Sequence, residues 1–172
     1  MISYEKNTNG YLDITFGPVW DYIPLTRNFI DGFLMVHLVE ETDIAKVVTA
    51  ASELLENAVK HAYNDGIRIK IIKLIDSNCI ELIVFNSTTK SDFIHLQNTI
   101  NEANSVSNTL EYYINAMKKS YAKADGKIGL GIPRIRHESD VKLKISFFEC
   151  DDSYGIIEVS GIFNIIEECH AG

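Results

Sequence analysis

Residues 51–66 read ASELLENAVKHAYNDG. At about 100° per residue along a helix, Val47, Ala51, Leu54, Leu55, Ala58 and Ala62 share one face, which reads as a buried stripe. Glu53, Asn57, Lys60 and His61 share another face, spaced i, i+4, i+7 and i+8. A carboxylate, an amide, an ammonium and an imidazole are thus stacked along two helical turns. One reading is a solvated surface, with Glu56 and Lys60 as an ordinary i,i+4 pair. The other is a binding wall. Asparagine is a poor choice for a plain exposed helix interior. An acid one turn before an amide also suits a hard cation, because the amide oxygen can ligate while the carboxylate orients or deprotonates.

Working outward, residues 43–63 form this helix, and Asn64-Asp65-Gly66 closes it with turn residues. Before it, residues 11–16 (YLDITF) alternate as a half-buried strand does, and Gly17-Pro18 breaks the run. Residues 20–39 carry apolar side chains at helical spacing, with Pro24 tolerable in the first turn. After it, residues 67–75 (IRIKIIKLI) and 80–85 (IELIVF) alternate around Asp76-Ser77-Asn78, which predicts an antiparallel hairpin. Residues 86–107 read as polar and irregular, 109–122 as a helix, and 125–131 as a glycine-bearing loop followed by a brief helix to about residue 138. Strands at 141–150 and 154–163, joined by Asp151-Asp152-Ser153, end the pattern. Adjacent strands with segregated helices predict an α+β fold. The expected architecture is a two-layer sandwich, a mixed and mostly antiparallel sheet with helices on one face.

The second chemical signal is Gly126-Lys127-Ile128-Gly129-Leu130-Gly131-Ile132-Pro133. Glycines let backbone approach a ligand, and Pro133 suits the first turn of a following helix. Together they would aim free N–H groups and the positive end of a helix at one spot, which is an anion site. The alternative is a turn joining two elements. No GK[ST] ends the loop, so it is not a Walker A loop, and it follows a helix rather than the strand a dinucleotide fingerprint requires. A helix face suited to a metal and a helix start suited to phosphate together describe a nucleotide–Mg²⁺ site.

The order of an ExxxN helix, a hairpin, a variable segment and a GxGLG-type loop resembles the histidine-kinase-like (GHKL, Bergerat-type) ATP-binding domain shared by gyrases, Hsp90, histidine kinases and MutL. Residues 52–63 look most like the stand-alone anti-sigma-factor serine kinases of the RsbW and SpoIIAB type. The resemblance implies ATP and Mg²⁺ as cofactors, Glu53 as general base and Asn57 as Mg²⁺ ligand. It places Lys60 and His61 near the phosphates, and Gly126, Lys127, Gly129, Leu130, Gly131 and Ile132 around the phosphate chain. Residues 87–125 would include a nucleotide-ordered lid. The family pattern DxGxG after the second hairpin strand is replaced by Asn86-Ser87-Thr88-Thr89-Lys90. Asn86 can accept a bond from the adenine amino group through its amide oxygen, without charge. The implied function is an ATP-dependent serine/threonine protein kinase acting on a small STAS-like (anti-anti-sigma-like) or sigma-like regulatory protein. The alternative is a catalytically eroded module that sequesters such a partner. A stand-alone histidine-kinase catalytic domain is a third reading, with His95, His137 and His170 as loose phosphoacceptor candidates.

Composition bounds these readings. The 172 residues suit one domain, residues 1–172, and are 46% hydrophobic and 23% charged. A net charge of −8 argues against nucleic acid as partner. Cys79, Cys150 and Cys169 are widely spaced and suggest reduced thiols, two of them in core strands, rather than a metal site. No leader-like or bilayer-length apolar run is seen, so a cytoplasmic protein with no membrane association is expected. Large apolar residues on the first helix, Phe29, Phe33, Leu34 and Met35, suit either the core or a homodimer.

Overall fold

The computed structural model describes residues 8–37, 39–63, 66–74, 77–122 and 129–165. The strands are β1 (Thr8–Phe16), β2 (Ile67–Leu74), β3 (Cys79–Thr89), β4 (Lys144–Glu149) and β5 (Tyr154–Asn164). The helices are α1 (Tyr22–Val36), α2 (Glu41–His61), α3 (Lys90–Ser105), α4 (Thr109–Ala122) and α5 (Gly131–Ser139). One sheet of order β1-β2-β3-β5-β4 results.

Alternation sets the two faces of the sheet. Ile67, Ile69 and Ile71 of β2 meet Ile80, Leu82 and Val84 of β3 and Ile157, Val159 and Phe163 of β5 in one buried layer. The register is fixed by pairs such as Ile69↔Val84 and Ile71↔Leu82. The other face carries Arg68, whose guanidinium grips the Asp13 carboxylate of β1 in a two-point ion pair at 2.8 and 2.6 Å. Helices cover the apolar layer. α2 contributes Val47, Ala51, Leu54, Leu55 and Ala58, and α1 contributes Ile23, Ile30 and Leu34. Each fully buried aliphatic side chain of this kind is worth about 1.5–3 kcal/mol relative to exposure.

The expected α+β sandwich is present, with two differences. Every strand pairing is antiparallel, so the described sheet is not mixed. The chain leaves β3, passes through α3, α4 and α5, returns as the edge strand β4, and then fills the gap between them with β5. That route makes β3 and β4 point the same way without pairing to each other.

The second difference is the segment read as irregular, residues 86–107. β3 continues through Thr89, and α3 follows at once. Polar Asn86, Ser87 and Thr88 are buried. Thr89 caps α3, its hydroxyl oxygen accepting from the Asp92 N–H at 3.1 Å. The far end of α3 is clamped by Asn104, which donates to the Leu143 carbonyl at 2.8 Å and accepts from the Leu143 N–H at 3.2 Å. Val141 and Leu143 are buried, but strand pairing begins only at Lys144.

Cys79 is half-buried at the start of β3 and Cys150 is exposed after β4, so neither is a core-strand thiol; Cys169 lies outside the described residues. No described helix is long and apolar enough to cross a membrane.

Candidate functional site

α2 begins with Glu41 and Asp43 and ends with Lys60, charges that match the helix dipole at both ends, and His61 is its last residue. Leu54, Leu55 and Ala58 are buried, and the polar stripe runs along the neighbouring flank of α2, where Glu53 and Asn57 meet Gly131 of α5. A cavity of about 390 Å³ opens there, lined by Asn57, Lys60 and His61 of α2 and by Asn86 and Thr88 of β3. Gly129, Ile132 and Pro133 close it on the α5 side. Its apolar surface comes from residues such as Leu54, Val84, Ile157 and Val159.

The end of the cavity at β3 is tightly organised. Thr88 donates to the His61 carbonyl at 3.1 Å, and the Tyr63 N–H donates to the Ser87 carbonyl at 3.0 Å, which ties the end of α2 to the strand. Asn86 is 4% exposed, and its NH₂ donates to the same Ser87 carbonyl at 3.0 Å. A carbonyl only accepts, so this bond fixes which way the amide points. The Asn86 amide oxygen then has no partner among the described residues, and no buried side-chain polar atom is left unpaired. That oxygen therefore opens onto the cavity as a neutral acceptor.

At the other end the glycine motif is placed differently from its reading as a phosphate cradle alone. Gly131 is the buried first residue of α5. A Cβ there would stand 2.8 Å from Glu53 Oε2 and 3.4 Å from Asn57 Nδ2. The missing side chain is what lets α5 lie against the Glu53–Asn57 stripe. Leu130 is the residue before the helix, and it offers no side-chain cap. Gly126 and Lys127 lie outside the described residues.

Glu53 does not line the cavity. Its side chain is 17% exposed and accepts from Arg134 Nη1 at 3.0 Å. Arg134 Nε donates in turn to Glu138 at 2.8 Å. Burial pushes the Glu53 carboxyl above its ordinary range, and the Arg134 hydrogen bond opposes that without cancelling it.

Sequence reasoning missed half of the cavity wall. α3 contributes Asp92, His95, Leu96, Thr99 and Glu102, and α4 contributes Tyr112, Asn115, Ala116 and Lys119. Asp92 approaches His61 Nδ1 at 3.5 Å. The signal was present: Thr89-Lys90-Ser91-Asp92 is a capping pattern, and Phe93, Leu96, Ile100 and Ala103 recur at helical spacing behind it. Of the histidines read as phosphoacceptor candidates, His95 faces the cavity, His137 stacks on Tyr113 with ring centroids 5.6 Å apart, and His170 lies outside the described residues. Among the described residues no group of three or more His, Cys, Asp or Glu is placed to hold a metal.

The architecture is a two-layer α+β sandwich, an antiparallel sheet with helices on its apolar face and a cavity beside the polar stripe of α2. No protein-family model matches the sequence, and no curated protein matches it. Among solved structures, it is similar to a chain in the crystal structure of the SiaB-SiaC complex from Pseudomonas aeruginosa. The TM-score is 0.73 at 15% identity, over 92% of this chain and 92% of that one. At that identity the likeness is one of fold.

Proposed function

We propose that this chain is an ATP-binding regulatory protein of the anti-sigma-factor-kinase kind, acting on a serine or threonine of a small partner protein. The observation that carries the reading is convergence. Asn57, Lys60, His61, Asn86, Gly129 and Ile132, far apart in sequence, all line one cavity. The residues present suit the nucleotide. The free Asn86 oxygen is an acceptor for an adenine amino group, and Val84, Ile157 and Val159 offer an apolar bed for a base. Lys60 and Lys119 supply positive charge for phosphates, and His61 lines the cavity beside them. Asn57 is the protein oxygen available to Mg²⁺, an ion that is commonly held by few protein ligands plus substrate phosphates. Bound Mg-ATP would supply the phosphoryl group and its charge neutralisation. Glu53, its pKa raised by burial, is the group that would take the hydroxyl proton. Support for a protein partner comes from the structural neighbour, which was solved as a complex of two proteins; that the partner is STAS-like or sigma-like is what the resemblance of residues 52–63 implies.

Calorimetric titration with Mg-ATP and Mg-ADP is the first test. Asn57→Ala should weaken Mg-ATP binding, and Glu53→Ala should abolish transfer to the partner while ATP still binds. Absence of heat and of any thermal shift at millimolar nucleotide would remove the reading.

Two observations favour a second reading, a partner-sequestering module without transfer. Glu53 is turned onto Arg134 and away from the cavity, and β3 runs to Thr89 with no glycine where the family has two. Capture of the same partner with and without ATP separates the two, since only the kinase leaves phosphoserine or phosphothreonine on it.

The proposal extends to a homodimer through α1. Tyr22, Leu25, Phe29 and Val36 form one outward stripe with exposures of 43, 55, 62 and 78%. An exposed apolar stripe of this length marks an interaction surface.

A further inference from the structure

The first turn of α5, read from sequence as the phosphate cradle, already faces a carboxylate of the chain itself. Glu53 Oε2 lies against Gly131, 2.8 Å from where a Cβ would stand. Glu53 Oε1 is held by Arg134 Nη1 at 3.0 Å, and Arg134 is fixed from its other side by Glu138 at 2.8 Å. The unpaired N–H groups and positive dipole of a helix start favour an anion, and Glu53 is the carboxylate packed against that turn, held there by Arg134 rather than by a backbone N–H. Gly129 and Ile132, on either side of that turn, line the cavity. Within the cavity the oxygen of Asn86, a residue 96% buried, has no partner among the described residues, which marks the space as a ligand site independently of the helix. A polyphosphate reaching from that cavity to the α5 turn therefore meets the Glu53 charge.

We propose that Arg134 is a positioning residue that latches Glu53 onto the first turn of α5, and that the phosphates of a bound nucleotide compete with the Glu53 carboxylate for that turn. The second half rests on the nucleotide reading above. The first half does not. Entry of phosphate would release Glu53 from the turn, so the same event that fills the site would free the carboxylate for other work.

The full chain and its Glu53→Gln, Arg134→Met and Arg134→Lys variants test both halves. For the latch, urea denaturation of the two single variants and of the Glu53→Gln/Arg134→Met double variant forms a cycle. Non-additive stabilities are expected, with Arg134→Lys restoring part of the coupling because it keeps the charge; additive stabilities overturn the latch. For the competition, calorimetry with Mg-AMP, Mg-ADP and Mg-ATP is read on wild type and Glu53→Gln. Removing the charge should tighten Mg-ATP on the order of tenfold, with smaller gains for Mg-ADP and least for Mg-AMP. A gain that is absent, or equal for all three, overturns the competition. Non-additive stabilities without nucleotide binding by either protein would uphold the latch while overturning the competition and the nucleotide reading beneath it.

Discussion

Glu53 is where residue-scale chemistry concentrates. Its carboxyl is raised above the ordinary range by burial, against the opposing hydrogen bond from Arg134. Between the ordinary value and the raised one, the folded protein binds more protons at this site than the unfolded chain does. Its contribution to stability therefore falls as pH rises through that window. Glutamine cannot titrate. The stability of wild type relative to Glu53→Gln should then shift against wild type as pH rises from the ordinary carboxylate range, and level off above the raised value. Denaturant midpoints at a series of pH values read this directly; a flat difference would mean Glu53 is not perturbed. Gly131 carries the companion prediction. Gly131→Ala sets a methyl 2.8 Å from Glu53 Oε2 and 3.3 Å from Glu53 Cβ. The Cβ contact cannot be relieved by rotating the carboxylate, so α5 must shift. A loss of about 1–3 kcal/mol is expected from such overpacking, measured by urea denaturation. Substituting a helical glycine with alanine would otherwise stabilise, so a gain in stability would show that the two helices lie further apart.

At the scale of elements, α3 decides the shape of the cavity. It is fixed at its start by the Thr89 cap and near its end by the Asn104 clamp on Leu143. Arg136, itself buried, adds a bond from Nε to the Ala103 carbonyl at 3.2 Å. The sequence reading placed a nucleotide-ordered lid somewhere within residues 87–125; of that span, residues 90–105 form a helix capped at its start by Thr89 and bound near its end to Leu143. Asn104→Ala removes two hydrogen bonds and should cost about 1–2 kcal/mol, read by urea denaturation. It should also reduce hydrogen-exchange protection near residues 100–105 while leaving β2 and β3 unchanged. Uniform loss of protection across the sheet would mean that the clamp holds the whole fold rather than the helix.

At the scale of the molecule, the described helices cover one face of the sheet, and their layer leaves α1 with an outward apolar stripe. Ile23, Thr26, Ile30 and Leu34 take the inward positions, so core packing does not account for Phe29, Met35 or Val36, which are 62, 60 and 78% exposed. The proposed homodimer predicts twice the chain mass in sedimentation velocity, and a monomer for Phe29→Glu with Val36→Glu. The inward side of the helix is untouched by those changes, so the variant should keep its secondary structure by circular dichroism. A wild-type monomer at high concentration would remove the dimer.

The sequence by itself determined the elements that rest on local repetition. The period-2 runs of β2, β3 and β5 and the 3.6-residue stripe of α2 were legible because each buries its own alternate face. The α2 stripe also revealed Asn57, Lys60 and His61, since helical geometry alone brings them together. Tertiary structure decided what depends on other segments. Asn86, Ser87 and Thr88 read as loop because they are polar, yet they continue a strand because β5 and the Tyr63 N–H satisfy their backbone groups and the His61 carbonyl accepts from the Thr88 hydroxyl. The sheet is wholly antiparallel because β5 inserts between β3 and β4, an order no local pattern encodes. The role of Gly131 and the pairing of Glu53 with Arg134 depend on two helices meeting across 81 residues of chain. Residues 51–66 gave the wall of the site, but only packing showed that its carboxylate faces α5 rather than the cavity.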